Sequence, residues 1–141
     1  FLEIKCGPEI IPALKKSALK PDQVVFICFS KDVIAQCRQH FPDFKAHWLT
    51  SYTEDILGRV EPSSKDVFKT LAETKSSGLD INANTDRVTA EVVKQLREGG
   101  YEFHCWTVDD VATAKHFRQL GVDSITTNRP GWLRTQLTEK G

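Results

Sequence analysis

Glu3 and Lys5 stand two residues apart in Phe1-Leu2-Glu3-Ile4-Lys5, a run whose alternation reads as a β-strand. A strand sends successive side chains to opposite faces, so Leu2 and Ile4 share one face and Phe1, Glu3 and Lys5 the other. The α-carbons of the acid and the base are then about 6.6 Å apart on one surface. On a covered face such charges are costly unless they pair, or unless a metal ion and an anionic substrate lie between them. On an edge strand with that face in water they are ordinary surface charges. Spacing alone leaves both readings open.

Two more strand-like runs carry polar groups where a covered strand is normally apolar. Asp80, Asn82 and Asn84 alternate with Leu79, Ile81 and Ala83, and His104 and Trp106 alternate with Phe103, Cys105 and Thr107. Such faces suit the partly wet interior of a barrel near a catalytic mouth. His104 reads as a hydrogen-bonded core histidine. Trp106, at the C-terminal end of its strand, either packs in the core or walls a ligand pocket. Asp109-Asp110 reads as the cap of the following helix. Thr126-Thr127-Asn128-Arg129-Pro130 gathers hydroxyl, amide and guanidinium groups at another strand end, a candidate phosphate-facing rim. His40, His47 and His116 have no partner at ligand spacing and read as surface or helix-face residues.

The elements that must position these groups alternate in type. Strands are predicted over residues 1–5, 24–29, 45–49, 79–82, 101–107 and 124–127. Helices are predicted over 10–19, 32–40, 64–74, 89–98, 109–120 and 131–137, bounded by prolines, cap residues and glycines. Residues 50–62 read as the longest loop. Regular βα alternation argues for a parallel sheet with helical crossovers.

The whole chain, residues 1–141 and 40% hydrophobic, reads as a single domain. Nineteen basic and nineteen acidic residues cancel, which argues against a nucleic-acid partner or an anionic membrane surface. No apolar stretch approaches the ~20 residues of a membrane span. Cys6, Cys28, Cys37 and Cys105 lack paired metal or redox spacings and read as reduced, mostly buried thiols, which favours a cytoplasmic setting. P-loop, Rossmann, zincin and serine-hydrolase motifs are absent. The sequence holds no Met and starts in mid-strand, so residues are expected to precede Phe1.

The E-I-K strand at Glu3-Ile4-Lys5, Cys28-Phe29 closing the next strand, Cys105-Trp106-Thr107-Val108, and the run from Gly121-Val122-Asp123 to Thr127-Asn128-Arg129-Pro130 together resemble the glycerophosphodiester phosphodiesterase family. The resemblance spans essentially the whole chain. It implies a (β/α)8 TIM barrel, with this chain corresponding to strands three to eight and their helices. It also implies hydrolysis of a small-molecule glycerophosphodiester to glycerol 3-phosphate and an alcohol, with Mg²⁺ or Ca²⁺ as cofactor. Glu3 matches a carboxylate ligand of that metal, Lys5 the lysine that faces the phosphate, and Trp106 the aromatic that packs on glycerol. The family's catalytic histidines and remaining metal ligands belong to motifs upstream of the E-I-K strand, so this stretch is not expected to be active by itself. Cys28, Asp109 and Asn128 replace the family's usual Ser, Asn and Asp.

Two other architectures compete. A self-contained flavodoxin-like α/β binding domain suits the length, although no glycine-rich loop or acidic cluster follows the first strand. A catalytically inactive barrel used for protein binding is the other.

Overall fold

A computed structural model describes residues 1–138. Six parallel strands form one sheet: β1 (Leu2–Glu3), β2 (Val25–Cys28), β3 (Lys45–Thr50), β6 (Gly78–Asn82), β7 (Glu102–Trp106) and β8 (Ser124–Ile125), neighbours in that order. The order follows the chain without reversal. A doubly wound, flavodoxin-like sheet must reverse at a switch point, whereas a barrel wall adds each strand beside the last. The sheet is therefore an arc of a (β/α)8 barrel, and the flavodoxin-like alternative is excluded.

Helices α1 (Ile11–Lys15), α2 (Lys31–His40), α3 (Ser64–Thr74), α4 (Ala90–Glu98) and α5 (Val111–Gln119) make the crossovers, and α6 (Pro130–Thr138) follows β8. Ser30 caps α2 by accepting from the Val33 amide at 3.3 Å, and Ser63 with Asp66 forms a capping box on α3. Residues 10–19 were expected to be one helix. Instead a 3₁₀ turn at Pro8–Ile10 leads into a short α1, which ends where the Ser17 hydroxyl donates to the Leu14 carbonyl at 2.6 Å. The expected loop over residues 50–62 contains an antiparallel hairpin, β4 (Thr53–Glu54) and β5 (Val60–Glu61). Its turn is built on Asp55, whose Oδ1 accepts from the Leu57 and Arg59 amides at 2.8 and 2.9 Å. An aspartate closing a turn on its own downstream amides leaves little hydrophobic signature, so the pattern reads as loop.

Alternation sorts every strand. Phe26, Cys28, Ala46, Trp48, Leu79, Ile81, Phe103 and Cys105 are buried against the helices, where Val33, Ile34, Val67, Leu71, Leu96 and Phe117 meet them. The opposite face carries the polar groups among apolar ones, and the register lines it up in rows. Ile27 pairs with His47, His47 with Gly78 and Gly78 with Glu102; Leu49 pairs with Asp80, Asp80 with His104 and His104 with Ser124. Gly78 is required in its row, because a Cβ there would lie 2.6 Å from the Glu102 carbonyl oxygen.

Candidate active site

Glu3 and Trp106 line one cavity of about 200 Å³ at the C-terminal ends of the strands, together with Ile27, Phe29, Leu49, Asp80, Thr107 and Thr126. Loops at this end of a barrel carry the chemistry, because the strands hold them in fixed relation. The Trp106 indole is fixed by its Nε1–H, which donates to the Asp80 carbonyl at 3.2 Å, and by Phe29, whose ring meets it edge-on at 5.7 Å. Lys5 Nζ lies 3.4 Å from Glu3 Oε2, so the acid and base that share a face also touch. Lys5 remains 78% exposed and lies at the margin of the cavity rather than in its lining.

Asp80 is 1% exposed, and its Oδ1 has no hydrogen-bond partner among the described residues. Burial pushes its carboxyl up to about 7. Burial, followed by the Asp80 charge, pushes the Cys105 thiol up to about 12, which makes it an inert packing group.

Toward the N-terminal ends of the strands, the barrel interior holds His47, Glu102 and His104. His47 Nε2 lies 3.0 Å from Glu102 Oε2, and His104 Nε2 lies 3.5 Å from the same oxygen. Lys45 pairs with the other Glu102 oxygen, and His104 Nδ1 meets the Ser124 hydroxyl at 2.7 Å. His47 is therefore not a surface residue. It is fully buried on β3, and the Phe1 ring meets both imidazoles in T-shaped contacts. Applying the period of two to residues 45–50, which sets Lys45, His47 and Leu49 on the interior face, would have found it. His104 is buried as expected but only half satisfied, since Nε2 makes no hydrogen bond.

Burial, and then His104, push the His47 imidazole down to about 4; burial also lowers His104. Burial opposes charge on Glu102, but Lys45 and the two histidines outweigh it and hold the carboxyl below its usual range. Among the described residues these three form the group that could hold a metal ion, with ligand atoms within 4.8 Å of one another. The donor set is nitrogen-rich and suits a borderline ion such as Zn²⁺ better than Mg²⁺ or Ca²⁺, which take oxygen. The two rings are stacked 18° apart, and both Nε2 atoms approach the same Glu102 oxygen, at 3.0 and 3.5 Å. As folded, the cluster is a hydrogen-bond network. Glu3, with its hard oxygens at the cavity, fits one position of an oxygen-ligated ion.

The aspartate pair divides its work. Asp110 caps α5 by accepting from the Thr113 amide at 2.8 Å, as expected. Asp109 instead ties down the last strand end, accepting from Thr127 Oγ1 at 2.9 Å and from the Asn128 amide and side chain at 2.8 and 2.7 Å. Arg129 donates to the Asp109 carbonyl and stacks on Trp132 at 4.1 Å. The polar groups of the expected phosphate-facing rim are thus largely engaged by Asp109, and Thr126 alone among them lines the cavity.

Residues 4–132 match the Glycerophosphoryl diester phosphodiesterase family. The chain belongs to this family. Among its curated relatives, YqiK of Bacillus subtilis is 26% identical over 122 residues, covering 86% of this chain and 46% of that protein. The Arabidopsis thaliana glycerophosphodiester phosphodiesterase GDPD4 is 34% identical over 61 residues, covering 38% of this chain and 19% of that protein. The chain spans less than half the length of these relatives.

A phosphodiesterase from Oleispira antarctica, solved in complex with the product sn-glycerol-3-phosphate, superposes with a TM-score of 0.72 at 16% identity. It is covered over 53% of its length by 96% of this chain. The glycerophosphodiester phosphodiesterase from Thermotoga maritima gives 0.70 at 18% identity, 94% of this chain covering 55% of that one. At such identities the likeness is one of fold. In this glycerophosphoryl diester phosphodiesterase family chain, the motif residues Glu3 and Trp106 meet at one cavity, while Asp80 and the interior cluster carry no motif of their own.

Proposed function

We propose that this chain serves in metal-dependent hydrolysis of a glycerophosphodiester to glycerol 3-phosphate and an alcohol. The observation that carries this reading is a single cavity at the C-terminal rim lined by both Glu3 and Trp106, in a chain of this family. The product-bound Oleispira antarctica neighbour supports the substrate class. In the net reaction the phosphorus–oxygen bond to the alcohol breaks, water supplies the replacing oxygen, and a proton passes to the departing alkoxide.

Glu3 would hold Mg²⁺ or Ca²⁺, which supplies Lewis-acid stabilisation of phosphoryl charge when bound. Lys5, at the cavity margin, would neutralise negative charge growing on the phosphate oxygens. Trp106 and Phe29 would give the glycerol carbons an apolar wall and orient the diester. None of the described residues lining the cavity is a histidine. Cys28, Cys37 and Cys105 are buried free thiols, in keeping with a reducing, cytoplasmic setting. No described helix is long and apolar enough to cross a membrane.

The test is hydrolysis of glycerophosphocholine by the full-length protein with Mg²⁺ or Ca²⁺. Glu3→Ala should raise the metal concentration needed for half-maximal rate by at least about tenfold, and Lys5→Ala should mainly lower kcat. Unchanged kinetics in both variants would refute the site.

A further inference from the structure

Asp80 lines the cavity yet has no part in the steps above. It sits on β6 with Leu49 and His104 as its strand neighbours, 1% exposed, and its Oδ1 has no partner among the described residues. A buried carboxyl oxygen without a hydrogen bond is costly and rare, and one that faces a cavity is most simply completed by what enters the cavity. The indole N–H of Trp106 does not serve it, because it donates to the Asp80 main-chain carbonyl at 3.2 Å. The cavity lining combines apolar groups, Ile27, Phe29, Leu49 and the Trp106 ring, with the polar Glu3, Thr107 and Thr126. A mostly apolar pocket with a few fixed polar groups is built to orient a ligand that has both characters.

We propose that Asp80 is the polar anchor of this subsite and hydrogen-bonds a hydroxyl of the substrate's glycerol moiety, so that it selects a polyol over the corresponding deoxy chain. A hydroxyl is the fitting partner because it donates to a carboxylate and accepts from a carboxylic acid, and so pairs with Asp80 in either form. Through its carbonyl the same residue holds Trp106, so the group that binds the hydroxyl also sets the wall against which the carbons pack. A site that hydrogen-bonds a hydroxyl discriminates strongly against an analogue lacking it, because its own polar group is then left unpaired.

This inference rests on the reading as a glycerophosphodiester hydrolase, and two readouts separate their failures. Calorimetry on the full-length protein compares glycerol 3-phosphate with the phosphates of propane-1,2-diol and propane-1,3-diol, each lacking one hydroxyl. Turnover compares the matching phosphocholine diesters. The wild type should prefer the glycerol compound over at least one deoxy analogue by about tenfold or more. Asp80→Asn, whose amide still donates and accepts, should keep the preference. Asp80→Leu and Asp80→Ala should lose it while still hydrolysing the deoxy diester. Equal binding of all three phosphates by the wild type overturns the inference, as does a folded Leu or Ala variant that keeps the preference. A wild type that binds none of the phosphates and hydrolyses none of the diesters removes the hydrolase reading, and the anchor with it.

Discussion

The imidazoles of His47 and His104 lie stacked, 4.3 Å between centroids and 18° apart, with one Glu102 oxygen 3.0 Å from the first and 3.5 Å from the second. Two stacked rings tolerate neutrality far better than two positive charges, and burial adds to that preference. Lys45, on the other Glu102 oxygen, already balances the carboxylate. The cluster therefore favours both histidines uncharged.

Acid should attack the fold at this point. His47 is held near 4 in the folded chain against an ordinary 6.5. A depressed folded value gives stability that is complete above 6.5 and is lost as pH falls through about 4, because the unfolded chain takes up the proton first. Thermal melts between pH 7.5 and 4.5 should show a steeper fall for the wild type than for His47→Phe, which keeps an aromatic ring but cannot titrate. Parallel falls would mean that the stack does not sense acid.

Gly78→Ala should destabilise by about 1–3 kcal/mol, the range for overpacking a filled interior. Its Cβ would meet the Glu102 carbonyl oxygen at 2.6 Å and the Glu102 Cβ at 2.9 Å, and a backbone pair in a parallel sheet cannot step aside. Urea denaturation should report a lower midpoint with unchanged slope.

The two aspartates after β7 should separate cleanly. Asp110→Ala removes a helix cap and should lower the thermal midpoint of the whole chain. Asp109→Ala removes three bonds to Thr127 and Asn128 and should instead speed amide hydrogen exchange in the segment between β8 and α6.

Trp106→Ala should raise KM for a glycerophosphodiester by about tenfold or more, through loss of the cavity wall. Trp106→Phe keeps an aromatic face but leaves the Asp80 carbonyl without its donor, so a smaller rise is expected. Steady-state kinetics of both variants would decide; equal effects would place the role of Trp106 in the hydrogen bond rather than the ring.

The candidate site residues were legible before the fold because their signals are local. Glu3, Lys5 and Trp106 are marked by alternation within single strands and by motifs a few residues long. Asp80 was visible as a polar residue on one face of β6, but nothing local said that it would be buried without a partner. His47 is missed when residues 45–49 are taken for strand type and not for faces, and Glu102 when the face of His104 and Trp106 is not extended back through the expected strand 101–107. Asp109 and Asp110 are identical in type and adjacent, and only the approach of Thr127 and Asn128 from β8 separates a clamp from a cap.

The sequence by itself determined the βα alternation, the parallel sheet, the helix caps and the family, since each rests on periods and short motifs that need no knowledge of distant residues. The tertiary structure alone decided the gathering of Glu3, Trp106 and Asp80 at one cavity and the pairing of His47 with Glu102 across 55 residues. The physical reason is that burial and partnership are properties of where strands meet. A side chain's face is written into its own strand, but its neighbours on that face come from other strands and are fixed only when the sheet closes its register.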